Sequence, residues 1–264
     1  MSRVTLAGAL LVALAASTHA QDFAGTSPAG TLDAFALLEH ALPLAERGVA
    51  AAASSTRWWG LRELETRAVA LAGGVRAVRM AAGLSQTGAP ELGWTTLALA
   101  AGGATRGAGA AVRALTWHDR DTPWRPGLAL EPEAGFVFGA GAWLEPVSHV
   151  RVWASAPQIR TRGQPPPLER ALVLGVRAGG ATAVWGAMRA PRAGDDGERS
   201  LGLVLGVRPL AAWAEVRDAP LRGSAGLGAR TGPVRAGVRA DSHPVLGETY
   251  RATLEWRTSP GAGP

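Results

Sequence analysis

The stretch "HPVLGETYRATLEWR", His243 to Arg257, carries the reading on which the fold turns. Tyr250, Ala252, Leu254 and Trp256 are apolar, and Arg251, Thr253, Glu255 and Arg257 between them are polar or charged. Strict period-two alternation puts these two sets on opposite faces of a strand, one apolar and one wet. Such a strand needs an apolar surrounding for one face and a polar one for the other. If it closes a sheet by pairing with the first strand, little chain is needed beyond it.

The same pattern recurs upstream. Segments 63–72 and 75–85 meet at Gly73-Gly74, a hairpin signal, and 92–102 and 106–118 follow. Next come 128–144 and 148–156, then 169–178 and 181–189 joined at Gly179-Gly180. Segments 199–207, 211–217, 222–230, 234–240 and 248–257 complete about thirteen strands. Leu172, Leu174 and Val176 oppose Val173, Gly175 and Arg177; Leu201, Leu203, Leu205 and Val207 oppose Gly202, Val204, Gly206 and Arg208. Tight turns alternate with longer loops at 118–127, 157–168 and 191–198, which suits a meander whose two ends face different surroundings. Upstream of the strands, Thr31 to Ala53 reads as one or two short helices interrupted at Pro43, with Thr31 or Asp33 as N-cap.

Met1 to Ala20 has the build of a secretory signal peptide: Arg3, an apolar run from Val4 to Ala16, then small residues before Gln21. An apolar fraction of 47% excludes a disordered chain. No later run is long enough for a transmembrane helix. There are no cysteines, which excludes disulfides and a lipidated N-terminal Cys. The net charge is +6 with 27 basic residues, all of them Arg. These are spread along the chain without a basic block, and with export they give no reason to expect a nucleic-acid partner.

Alternating strands fit either a soluble periplasmic β-sandwich used as a binding module or a transmembrane β-barrel. A polar face dominated by Gly and Arg, with strands of the length that crosses a bilayer at a tilt, favours the barrel. The fold class expected is all-β, an up-and-down antiparallel transmembrane barrel of 12–14 strands, an even number being usual. The apolar faces would meet outer-membrane lipid. The polar faces would place Arg177, Arg208, Glu215, Arg235, Arg239, Arg251 and Glu255 in the lumen. Paired, these charges hold the interior shut; unpaired, the arginines favour anions. Trp94, Trp117, Trp143, Trp213, Tyr250 and Trp256, near segment ends, would form an interfacial aromatic belt.

Two stretches, Ala45 to Leu64 and His243 to Thr249, resemble segments of the FadL-like and PorV-like outer-membrane barrels. In "AERGVAAAASSTRWWGLREL", Ala45 to Leu64, the Gly/Ala run Gly48 to Ala53 and the pair Gly60-Leu61 match the element just before that family's first strand. Trp58-Trp59 stands in place of its Asn-Pro. In the last strand, His243, Pro244, Leu246, Gly247 and Thr249 match the closing segment. The resemblance implies about 14 strands and an N-terminal segment reaching into the lumen as a plug. The domain division expected is therefore 1–20 signal peptide, 21–60 lead and helical plug, 61–257 barrel and 258–264 tail. It implies passive transport or binding of small hydrophobic molecules, or alternatively a scaffold of a type IX-like secretion apparatus. The partners implied are lipid, a small hydrophobic ligand and the barrel-assembly machinery of a Gram-negative-type bacterium.

No catalytic constellation emerges. His40 reads as a solvated helix residue, and His118 and His149 sit beside residues that a strand would turn to the opposite face. Asp241-Ser242-His243 are contiguous, and consecutive residues rarely converge as a triad must. Asp195-Asp196-Gly197-Glu198 lacks the ligand series of a calcium loop and reads as a solvated loop tip. No cofactor or metal is implied. A membrane barrel should require detergent for extraction and migrate differently on gels before and after heating; release by osmotic shock without a heat-dependent shift would exclude it.

Overall fold

The computed structural model describes residues 23, 25–45, 47–89, 92–119, 134–162, 172–190, 197–218 and 221–258. The expected signal peptide, most of the loop 118–127 and Asp195-Asp196 lie outside the described residues. Fourteen antiparallel strands close into a barrel, each pairing with its sequence neighbours and the first with the last. They are β1 (Gly48–Arg57), β2 (Glu65–Val75), β3 (Val78–Ala89), β4 (Leu92–Ala104), β5 (Ala108–Asp119), β6 (Ala134–Val147) and β7 (Val150–Arg162). After these come β8 (Leu172–Gly179), β9 (Ala183–Ala190), β10 (Glu198–Val207), β11 (Leu210–Asp218), β12 (Leu221–Thr231), β13 (Val234–His243) and β14 (Gly247–Arg257). A closed barrel, rather than a two-layer sandwich, leaves no unpaired edge.

Thirteen of these strands coincide with the alternating segments. The fourteenth is β1, and it corrects the expected boundary at residue 61. "GVAAAASSTR" is small on both faces, so its hydropathy does not alternate although its exposure does. The Gly/Ala run is thus the first strand itself. Ala50 to Arg57 pair with Arg257 to Tyr250 of β14, and the Thr258 amide extends the seam by donating to the Val49 carbonyl at 2.8 Å. Another correction concerns the first hairpin. Gly73 and Gly74 lie inside β2, and the turn comes later, at Arg76-Ala77, with Arg76 in the left-handed region (φ 54°). Gly74 is instead needed for packing, because a Cβ there would sit 2.7 Å from the Arg79 side chain.

The short turns following β2, β4, β6, β8, β10 and β12 lie at one end, together with the start of β1 and the end of β14. The longer connections are all at the other end. Leu97, Leu99, Leu201, Leu203, Leu205, Leu227 and Leu254 project outward from the wall and are exposed. This apolar exterior is what hydrocarbon solvates and water does not, so the barrel has the build of a membrane-spanning one.

The aromatic belt needs the largest correction. Trp117, Trp143 and Trp213 face inward and are buried, as do Trp153 and Trp185, and Trp94 shares the inward parity of β4. Only Tyr250 and Trp256 of the expected set point outward, at 49% and 44% exposure. Five of the inward tryptophans each cover a directly opposite glycine: Trp117 on Gly135, Trp143 on Gly109, Trp153 on Gly175, Trp185 on Gly202 and Trp213 on Gly226. A Cβ at Gly135 would lie 1.8 Å from the Trp117 ring, and one at Gly202 would lie 2.1 Å from Trp185. The indoles lie flat across the wall because their partners lack side chains, which fills a narrow lumen without splaying the strands. Gly202→Leu should therefore block folding, and Trp185→Ala should cost about 3–5 kcal/mol for a fully buried ring. The urea midpoint of the heat-modifiable band reports both.

Candidate functional site

The lumen is occupied by the chain's own residues 23 and 25–45, the candidate functional element. It contains one helix, α1 (Ala34–His40), with Asp33 as N-cap: its carboxylate accepts the Ala36 amide at 2.8 Å. The helix ends where Ala41 turns left-handed (φ 53°), just before Pro43. It is shorter than the expected helix because residues 48–57 join the wall. His40 is half-buried and Glu39 buried, not solvated as expected, since a helix inside a barrel has no free face.

The wall divides into two sides by side-chain chemistry. From β1 to β5 its inward face is largely alanine: Ala50, Ala52, Ala68, Ala70, Ala72, Ala81, Ala98, Ala100 and Ala111 are all buried. Against it pack Phe23, Phe35, Leu37, Leu38 and Leu44 of the plug in one apolar cluster. Small wall residues make room for large plug residues; at Gly83 a Cβ would meet Leu38 at 2.4 Å and Phe23 at 2.6 Å.

Polar wall groups then fasten the plug by its carbonyls. Arg113 donates to Leu38 O and to Pro157 O, each at 2.7 Å, and Ser155 donates to His40 O at 2.7 Å. The bonds to Leu38 and His40 satisfy carbonyls in the last turn of α1 that lack helical partners, and the one to Pro157 anchors Arg113 to β7. Trp143 Nε1 reaches Pro43 O at 2.9 Å, and Arg79 Nε reaches Leu44 O at 2.8 Å. Toward the plug's beginning, Arg251 donates to Gly25 O, Arg151 to Gly30 O and Arg257 to Leu32 O. Thr26 is tied to Thr253 through both its amide and its hydroxyl, at 3.0 and 2.6 Å.

From β9 to β14 the wall carries ion pairs. Glu198 takes Arg189 at 2.9 Å, Arg217 at 3.8 Å and also Arg222. Glu215 takes Arg217 at 3.2 Å and Arg239 at 2.9 Å, and Arg239 also meets Asp241 at 2.7 Å. Glu255 pairs with Arg257 at 2.6 Å. Of the residues expected in the lumen, Glu215, Arg239, Arg251 and Glu255 are buried on the inward face, and Arg177 and Arg235 occupy inward positions with partial burial. The structure brings Glu215 and Arg239 together directly. Arg177 lies apart, its guanidinium 6.0 Å from the Trp185 ring. Arg208 is the exception: it is exposed in the turn between β10 and β11, because β10 ends at Val207.

Sequence reading missed Glu198, Arg189, Arg217, Arg222, Arg79 and Arg113. Glu198 reads as part of a loop tip in the sequence, yet it opens β10 on the inward face, in phase with Ser200, Gly202 and Val204. That phase was available in the sequence had the strand been extended by one residue. Among the described residues no cluster of His, Cys, Asp or Glu could hold a metal ion.

No family model matches the chain, and no curated protein matches it. Among solved structures, it is similar to the outer-membrane protein Omp33 of Acinetobacter baumannii, with 11% identity and a TM-score of 0.49 over 81% of this chain and 99% of that one. It is also similar to a triple mutant of the Rhodopseudomonas blastica porin, with 10% identity and a TM-score of 0.41 over 80% and 99% of the two chains. Both likenesses lie at very low identity.

Arg113→Leu removes the ties to Leu38 and Pro157. Since a hydrogen bond to a charged group contributes about 1.5–3 kcal/mol, exchange of the α1 amides should accelerate at least tenfold. Hydrogen exchange read at residues 34–40 checks this, with the barrel amides as internal control.

Proposed function

We propose that this protein is a bacterial outer-membrane barrel that passively admits small solutes, with residues 23–45 as a resident plug. One observation carries the reading: the plug is held by side chain-to-carbonyl bonds and apolar packing, not by a strand ladder. An element held in this way can leave without unpairing any strand. Its departure would expose the alanine-faced side of the lumen, from β1 to β5, opposite a charged side. A small hydrophobic molecule would meet the former, in the space now filled by Phe23, Leu37 and Leu38. The signal peptide expected at 1–20 and the apolar exterior support placement in the outer membrane, with the short turns toward the periplasm. Assembly machinery and surrounding lipid are the partners this placement entails.

Deletion of residues 23–45 should convert a poorly conducting barrel into one with steady ionic conductance in planar bilayers. Arg113→Leu should give intermediate, flickering openings. Conductance of the deletion variant no greater than that of protein-free bilayers, in a preparation that still shows the heat-dependent gel shift, would rule out transport.

A further inference from the structure

Two cavities lie among the charged residues, and their charge balances differ. The one beside the plug, of about 130 Å3, is walled by Arg189, Arg217, Arg239 and Arg251 against Asp33, Glu39, Glu198 and Glu215. Its arginines and carboxylates are equal in number. The other, of about 80 Å3, opens at the long-loop end and is walled by Arg189, Arg217, Arg222 and Arg251 against Asp241 alone. Arg239, Glu198 and Glu215 lie directly behind it, and over the two cavities together five arginines meet five carboxylates, so the positive surplus is local to the lining of this mouth. A surplus of positive charge in a partly desolvated mouth attracts an anion.

Two buried atoms of the same cavity residues define the anion further. Arg222 is held by Glu198 through Nη2, and its Nε has no hydrogen-bond partner among the described residues. Asp241 accepts Arg239 Nε at 2.8 Å through Oδ1, and its Oδ2 has no hydrogen-bond partner either. Buried polar atoms are satisfied in the great majority of cases, so an orphan donor and an orphan acceptor on two residues that line one cavity call for a ligand that supplies both complements. The donor needs an oxygen, and the acceptor needs an O–H. Gly223, Ser224, Ser242, His243, Thr249 and the rings of Trp58 and Trp59 complete the lining.

We propose that this cavity is a binding site for a small oxyanion that carries a hydroxyl group, the class of hydrogen phosphate. The arginines neutralise the anion's charge, Arg222 Nε donates to one of its oxygens, and Asp241 Oδ2 accepts its O–H. A fully deprotonated oxyanion such as sulfate would set an oxygen against the Asp241 carboxylate and be rejected. The site is built from wall residues at the mouth, so it stands whether or not the lumen conducts.

The test is calorimetric titration of the full chain in detergent with inorganic phosphate and with sulfate, at neutral pH and constant ionic strength. Wild type should bind phosphate saturably and at least about tenfold more tightly than sulfate. Asp241→Asn should bring the two affinities within about threefold of each other. Arg222→Gln should weaken phosphate about tenfold, the loss of one charge-assisted hydrogen bond. The heat-dependent gel shift confirms that each variant is folded; if Arg222→Gln is not, the Asp241→Asn comparison decides alone. Absence of saturable phosphate binding, equal binding of phosphate and sulfate by wild type, or an unchanged preference in Asp241→Asn would overturn the proposal. Binding without bilayer conductance in the plug deletion would remove the transport reading and leave this site in place.

Discussion

Closure of the sheet on itself is the constraint from which the other features follow. Hydrocarbon offers backbone amides and carbonyls no partner, so every strand that crosses it must be paired on both sides. The pairing of β1 with β14 supplies this for the two strands that would otherwise be edges. Once closed, the wall encloses a volume that side chains from within must fill or leave to solvent. This protein fills it in three ways: indoles laid over glycines, a plug packed on alanines, and arginines paired with carboxylates.

Much of the wall was legible in the sequence because a half-buried strand writes its two environments into alternate residues. Leu201 to Val207 show this plainly, and β14 does so with Tyr250 to Trp256. β1 was not legible for a physical reason. Its inward alanines must be small to accept Leu37, Leu38 and Phe23, and its outward Ala51, Ala53 and Ser55 happen to be small too. Where both faces are small, hydropathy has no period. The belt assignment failed for a different reason. A Trp near a strand end is common to lipid belts and lumen packing, and only the parity of each strand separates them. Trp213 falls in phase with Glu215 and Arg217, which was decisive evidence for the lumen.

The candidate site was legible as a list of charges more than as an arrangement. Alternation assigned Arg239, Arg251 and Glu215 to the polar face, and pairing across strands then determines who meets whom. Arg239 reaches Glu215 across β12, a contact that no sequence separation announces. Glu198 and Arg113 lay outside the reading for opposite reasons. One stood at a boundary assigned to a loop, and the other served the plug by binding a carbonyl, an acceptor every residue possesses.

The seam has a temporal meaning as well as a spatial one. Thr26 meets Thr253 across a separation of 227 residues, beside the β1–β14 pairing, while every other strand pairing joins consecutive strands. Contacts so distant along the chain carry the largest loop-closure cost and form late. β1 can pair with β2 as early as any other hairpin, but its seam with β14 closes last, after the remaining strands have paired in order. The plug need not thread a finished pore: it is already joined to the strand that shuts it.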